Sequence, residues 1–457
     1  MTGRATVARA LAEWIESVRV QRLPGEVVRA CADSVIDTVG LSLAARSTDY
    51  VAALREAWTG AGRCTVLGWP EKRDAPDAAV INGTGAHGED FDNTFEGCPV
   101  HAGAVVVPAV FAAAEAYGLC GRRVVEGLAV GTEVMCRLGL VVRKGVHAAG
   151  FHPTGVLGTM AAAAAVSAAR SLPPGTTVNA LGIAGSLAGG LIEYLADGSW
   201  TKRIHAGWAA QNGLRAAAMA QGGFTGPATV FEGRHGLVHG FAPSVTPDFA
   251  PLTDDLGETW WAGRMAFKPY ACGTMTQPFV DCAVRLAGRV SAEDIESLTC
   301  RVGEGTVHRL WEPLSEKQRP SNGYGAKFST PYCVAVGFLR GGAGLAEFTD
   351  ACVRDAAVLG LARRVGYEID PDDAYPHNYT GHIRAVLRDG SVVEERQPYL
   401  RGGTRSPMSR EELLAKCAAN VRYGGLRALT ADRLARFADG LAGSQSALDL
   451  EALELSG

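Results

Sequence analysis

No two of this chain's cysteines stand as a CxxC pair, and its eleven thiols are scattered without metal-ligand spacing. A structural zinc site is therefore not indicated, and neither is an aconitase-type iron–sulfur cluster, which needs grouped thiolates. An odd number of cysteines without a framework fits a reducing cytosol, where buried thiols behave as small hydrophobes. Runs of Lys and Arg that would track phosphates are missing. A formal charge of −4, with acid and base mixed throughout, argues against nucleic-acid binding. Long apolar runs are missing too: Ala-rich stretches such as 160–169 are too short and too weakly apolar to span a bilayer. Residues 1–19 carry Glu13 and Glu16 inside an amphipathic pattern, so they read as a first helix and not as a secretion signal. The expected location is cytoplasmic. Internal repeats and low-complexity linkers are absent as well.

What remains is an ordinary globular composition, 47% apolar and 20% charged, over 457 residues. Such a length suggests two to four domains at roughly 100–200 residues each. It can bury a large core without a disulfide or a metal. Helical periodicity dominates from Val7 to about Ala262. It is clearest over 27–45, 105–117, 124–138, 154–169 and 178–196, where many small side chains let helices approach closely. After Phe267 the pattern changes. Residues 296–307 alternate as a strand, and 383–387 with 392–395 flank Asp389-Gly390, which predicts a hairpin with a type I′ turn. Residues 331–339 and 350–364 look helical. Ser409 and Glu412 form a capping box, and helical patterning then runs to the end. The expected fold is mainly α with an inserted α+β domain: a helical bundle from 1–265 and 406–457, and a smaller domain with an antiparallel sheet over 266–405.

Five segments hold the side chains that could do chemistry. The densest is His87-Gly-Glu-Asp90-Phe-Asp92-Asn-Thr94, followed by His101-Ala102-Gly103. Solvated loop polarity with a helix cap is one reading of it, and a metal site from His87, Asp90, Asp92 and His101 is another. No HExxH-like spacing fixes those ligands on one helix face. In Gly150-Phe-His152-Pro153-Thr154-Gly155, Pro153 suits the first position of a helix, which sets His152 beside free N–H groups. Helix N-termini favour a carboxylate and hold a nearby imidazole neutral, and a neutral imidazole exchanges protons near pH 7. Lys202, Arg203 and His205 could receive an anion, or form an exposed cationic loop. Lys268 to Cys272 and Phe328 to Cys333 add Lys268, Cys272 and Tyr332, each equally open to a structural role.

These segments, in this order, resemble the MmgE/PrpD family, which includes 2-methylcitrate dehydratases, cis-aconitate decarboxylases and iminodisuccinate epimerases. The resemblance continues through Glu347 to Asp350, the Leu387–Gly390 turn and Ser409 to Lys416. It implies a helical domain built from both chain ends and an inserted α+β lid. It also implies a homodimer and an active site between the domains, without metal or organic cofactor. By motif position, Asp90, Thr94, His101, His152, Lys202, Lys268 and Tyr332 serve that site. His101 and His152 are the expected base and acid, Asp90 orients an imidazole, the lysines supply charge, and Tyr332 donates a proton. Thr94, Arg203, His205, Cys272 and Gln277 are expected to bind substrate.

The expected function is a lyase that dehydrates or decarboxylates a small carboxylic acid through an enolate-like intermediate, which cationic and hydrogen-bonding groups must stabilise. An isomerase or epimerase is the alternative, and an inactive binding protein a third. The chain departs from common relatives at Phe95, near Thr274 and near Gln277, where they carry His, Arg and His. If those positions face the site, the substrate has fewer carboxylates or more apolar bulk than a tricarboxylate. Gly341-Gly342 and Gly402-Gly403 are candidate flexible points.

Overall fold

A computed structural model describes residues 6–427 and 429–453. The chain divides into two compact units. The first comprises residues 1–88, 92–266 and 413–457, and the second 89–91 and 267–412. Among the described residues, no helix is long and apolar enough to cross a membrane.

The first unit is helical. Its first helix is Val7–Ser17, capped by the Thr6 side chain; residues 1–5 of the expected helix lie outside the described residues. Helix Pro153–Ala169 is buried on every face, which its Ala and Val side chains permit. Gly121–Val142, Thr201–Gln221 and Ala102–Tyr117 pack around it. The last of these ends where Gly118 turns left-handed (φ 65°). Ala75–His87 starts on the Asp74 side chain, which accepts the Asp77 N–H.

Small residues decide how closely these rods lie. A Cβ added to Gly83 would sit 2.7 Å from the Gly207 Cα, and one on Gly207 would run into the Val80 carbonyl oxygen. This contact fixes helix 75–87, which ends in His87, against helix 201–221, which begins with Lys202 and His205. Gly207→Ala forces the two apart. We expect it to cost about 1–3 kcal/mol of stability, read by urea denaturation.

The expected helix over 178–196 is shorter. Pro174–Leu187 stops ahead of Gly189-Gly190, Gly190 takes φ 126°, and only a short turn, Tyr194–Asp197, follows. The break frees the Gly190 carbonyl to accept the His152 N–H at 2.8 Å.

The second unit holds a four-stranded sheet in the order Val365–Ile369, Ile295–Val302, Gly381–Leu387, Val392–Gln397. The first pairing is parallel and the other two antiparallel. The strand expected to reach 307 ends at Val302, because Gly303 turns into a short 3-10 segment whose Thr306 hydroxyl bonds the Gly303 carbonyl. At Asp389-Gly390 only Gly390 has positive φ, and its N–H returns to Leu387 O. A type I′ turn needs two such residues, so the connection is a longer loop closed by one left-handed glycine. Asp355 interrupts the helix expected over 350–364 by capping Ala356–Ala362. Gly402 proves to be a packing point: its carbonyl accepts the Phe267 N–H, and a Cβ there would strike Phe267 O.

Ser409 and Glu412 form the reciprocal capping box at the start of Arg410–Tyr423. Farther along that helix, Lys416 enters the first unit and pairs with buried Asp37 at 2.7 Å. The other Asp37 oxygen accepts the Asn93 N–H.

Candidate active site

Four histidines meet inside the helical unit, each placed by the end of an element. His87 is the last residue of Ala75–His87, His101 and His152 are the N-caps of Ala102–Tyr117 and Pro153–Ala169, and His205 lies just inside Thr201–Gln221. Pro153 takes the first helical position, where its missing N–H costs nothing. Ring centroids of His87 lie 4.8 Å from His101 and 5.5 Å from His152, the latter stacked. His152 and His205 are 5.3 Å apart, with Tyr194 edge-on to both.

Asp92 sits at the centre. Its Oδ2 lies 2.8 Å from His87 Nδ1 and its Oδ1 3.2 Å from His101 Nδ1. Burial pushes this carboxyl up, but the two imidazoles outweigh it and hold Asp92 well below the usual carboxylate range. An ionised carboxylate only accepts, so His87 Nδ1 carries the hydrogen. For His101 the Asn93 carbonyl, 3.0 Å from its Nδ1, demands the same tautomer. When these rings are neutral, the lone pair is at Nε2. Asn93 also accepts the Gly103 N–H at its Oδ1, so the same residue anchors the start of the helix that His101 caps.

His152 and His205 face each other through their Nδ1 atoms at 3.2 Å. One donates and the other accepts, so a proton can rest on either ring. Burial, then His87 and Lys202, drive His152 well below its ordinary pKa. The same causes lower His205 to about 4. Both are neutral at pH 7.

Lys202 and Arg203 lie in the first turn of Thr201–Gln221, which replaces the exposed loop that spacing alone had left open. Cations at the positive end of a helix are unfavourable unless something negative offsets them. Arg203 stacks on Tyr50 at 4.4 Å. Thr94 is buried in a two-residue strand opposite Ala266.

The remaining candidates belong to the second unit. Asp90 holds φ 53°, a strained value for a non-glycine residue, and Lys268 Nζ bonds both its carbonyl (2.8 Å) and its Oδ1 (3.0 Å). Buried Gln277 donates to the carbonyls of Tyr270 and Cys272. Cys272 is buried beside the Cys333 thiol. Tyr332 is fully buried, and its hydroxyl donates to Glu347 O at 2.7 Å. Burial also pushes this phenol far above its ordinary pKa, so its proton is committed to the fold. Of the departures, Phe95 packs in the core of the first unit, edge-on to Trp261.

His87 and Asp92 entered the sequence reading only as possible metal ligands, and the family resemblance did not include them among its site residues. The resemblance gave the imidazole-orienting role to Asp90, whereas it is Asp92 that bonds His87 and lies 3.2 Å from His101 Nδ1. His87, Asp92 and His101 also place three ligand-type atoms within 4.8 Å, a spacing that suits a metal ion. Lys202 and His101 disfavour positive charge at His87, and Asp92 favours it.

The helical unit thus gathers four imidazoles at helix ends, and the second unit is built on a mixed sheet. Residues 9–250 match the MmgE/PrpD N-terminal domain and 270–434 the MmgE/PrpD C-terminal domain, so the chain belongs to the MmgE/PrpD family. Among curated relatives it is similar to a cis-aconitate decarboxylase-like protein of Aspergillus oryzae, 26% identical over 86% of each chain. It is also similar to the cis-aconitate decarboxylase of Homo sapiens, 27% identical over 91% of this chain and 88% of that one. The Aspergillus terreus cis-aconitate decarboxylase is 26% identical over 90% and 89%.

Proposed function

We propose that this protein is a cofactor-independent lyase that decarboxylates a small unsaturated carboxylic acid. The observation that carries the reading is the buried imidazole cluster organised by Asp92. Loss of carbon dioxide leaves an electron pair that must spread onto a neighbouring carboxylate, an enolate-like charge too unstable to form in water. Lys202, at a helix N-terminus, offsets that charge. The carbanion is then protonated by an imidazole. His101 exchanges protons through Nε2, since Nδ1 is fixed by Asp92 and Asn93, and His152 delivers or accepts a proton with His205 as its reservoir. By motif position, Asp90 and Lys268 serve the same reaction. A homodimer in the cytosol completes the proposal.

The relatives favour decarboxylation over dehydration, since each carries that activity in its name. An epimerase is the second reading, because two imidazoles 6.5 Å apart are what removal of a proton from one face and return to another require.

Proton NMR in heavy water with a panel of hydroxy-, unsaturated and amino mono-, di- and tricarboxylates separates these. Loss of carbon dioxide from one acid supports the decarboxylase, and loss of water turns the assignment to a dehydratase. Deuterium entering the alpha carbon without elimination favours the epimerase. Silence across the panel overturns the enzymatic reading.

A further inference from the structure

His87 is the member of the cluster to which the proposed chemistry gives no task. Its side chain is fully buried, Asp92 Oδ2 takes its Nδ1–H at 2.8 Å, and its Nε2 has no hydrogen-bond partner among the described residues. A buried ring nitrogen left this way is costly, and such groups call for an explanation. Core packing is a poor one. An apolar side chain would fill the same space without the cost, and the ring lies within 5.5 Å of both imidazoles assigned to proton transfer.

The charged and titratable groups around His87 come from every side. Asp92 follows its own helix, His101 heads Ala102–Tyr117, His152 heads Pro153–Ala169, and Lys202 and His205 come from Thr201–Gln221. Asp37 stands behind Asp92. Burial is the largest influence and His101 and Lys202 add to it, so His87 is neutral near pH 7 despite Asp92. A neutral Nε2 offers only a lone pair, which a carboxylate cannot use. An incoming anion reverses the balance by favouring the protonated ring.

We propose that His87 is a carboxylate-binding residue of this site, which takes one proton from solvent as a substrate carboxylate pairs with its Nε2. Neutral imidazole, a proton and the carboxylate give an imidazolium–carboxylate pair; no bond to carbon changes, and Asp92 keeps the Nδ1–H throughout. The inference rests on the reading of the substrate as a carboxylic acid.

The test is isothermal calorimetry on the full-length protein at pH 7.5, in phosphate and in Tris, with cis-aconitate, its saturated analogue tricarballylate and the acids of the turnover panel. The buffer dependence of the heat gives the protons taken up. We expect about one per site for any acid bound, and affinity that falls by up to about tenfold per pH unit between pH 6.5 and 8. In His87→Asn and His87→Gln the uptake disappears, the pH dependence flattens, and affinity at pH 6.5 drops about tenfold or more. Binding by the wild type without uptake, the same uptake in both variants, or no binding by any acid overturns the assignment. The wild-type measurement decides even if neither variant folds. Binding with uptake but without turnover removes the lyase reading and leaves His87 in place; turnover without uptake does the reverse.

Discussion

Asp92→Asn lowers turnover by about 10²–10⁴-fold, matching the loss expected for His101→Ala or His152→Ala. The size follows from the double duty of one carboxylate. Asp92 accepts from His87 Nδ1 at Oδ2 and sets its Oδ1 3.2 Å from His101 Nδ1 as an ion-pair contact. An amide of the same shape has a single acceptor oxygen, so its NH₂ must face one of the rings. That ring then has to present a lone pair at Nδ1 and carry its hydrogen at Nε2, which closes the face it offers to substrate. For His101 the Asn93 carbonyl opposes such a flip, because it accepts from Nδ1. The variant therefore meets an acceptor–acceptor conflict or an unpaired buried amide, and it loses the negative charge that stabilises a protonated imidazole. The measurement is kcat on the acid identified by NMR, with circular dichroism to verify folding. Turnover within threefold of wild type would remove Asp92 from the mechanism.

How much of this was legible in the sequence depends on how local the determining physics is. Helices set by periodicity and caps are readable: Pro153–Ala169 begins at the proline that announces it, and the Ser409–Glu412 box forms as spacing predicts. Positions where two rules compete are less so. Residues 178–196 keep an apolar pattern across Gly189-Gly190, and nothing local says that the helix yields so that the Gly190 carbonyl can hold His152.

The choice between Asp90 and Asp92 lies beyond spacing for a specific reason. Two residues apart, both acids would share one side of an extended segment. Asp90, however, takes a left-handed conformation (φ 53°), so that pattern fails, with Asp92 turned to the histidines and Asp90 bonded to Lys268. His87 was visible as a possible ligand but not as a partner of His101, since a helix end and a helix cap fourteen positions on meet only through the fold. The helix start, by contrast, was legible: Pro153 fixes where the N-cap must fall, and His152 occupies it.

The cluster also leaves a mark on stability, and its sign can be worked out group by group. His205 is lowered to about 4 in the folded state, chiefly by burial. Unfolded, it titrates near 6.5. Between those values the unfolded chain binds the proton that the native chain refuses. Stability therefore falls as pH drops from 6.5 towards 4, and the loss from this residue reaches about 3 kcal/mol. His87 and His152, lowered by burial as well, act in the same direction. Asp92 extends the effect below the ordinary carboxylate range, since its folded pKa is depressed and its stabilisation disappears on protonation. Buried carboxyls such as Asp37 and Glu133 are raised by burial and work the opposite way, taking up protons in the native state first. A wild-type curve alone therefore mixes the two. His205→Asn isolates one term: it removes a group that cannot charge in place while keeping a hydrogen-bonding side chain beside His152. Measured by urea denaturation, the stability of this variant relative to wild type should improve by about 3 kcal/mol between pH 7 and pH 4. Parallel curves would mean that His205 titrates normally in the native protein, and the neutral His152–His205 pair would have to be abandoned as the proton reservoir.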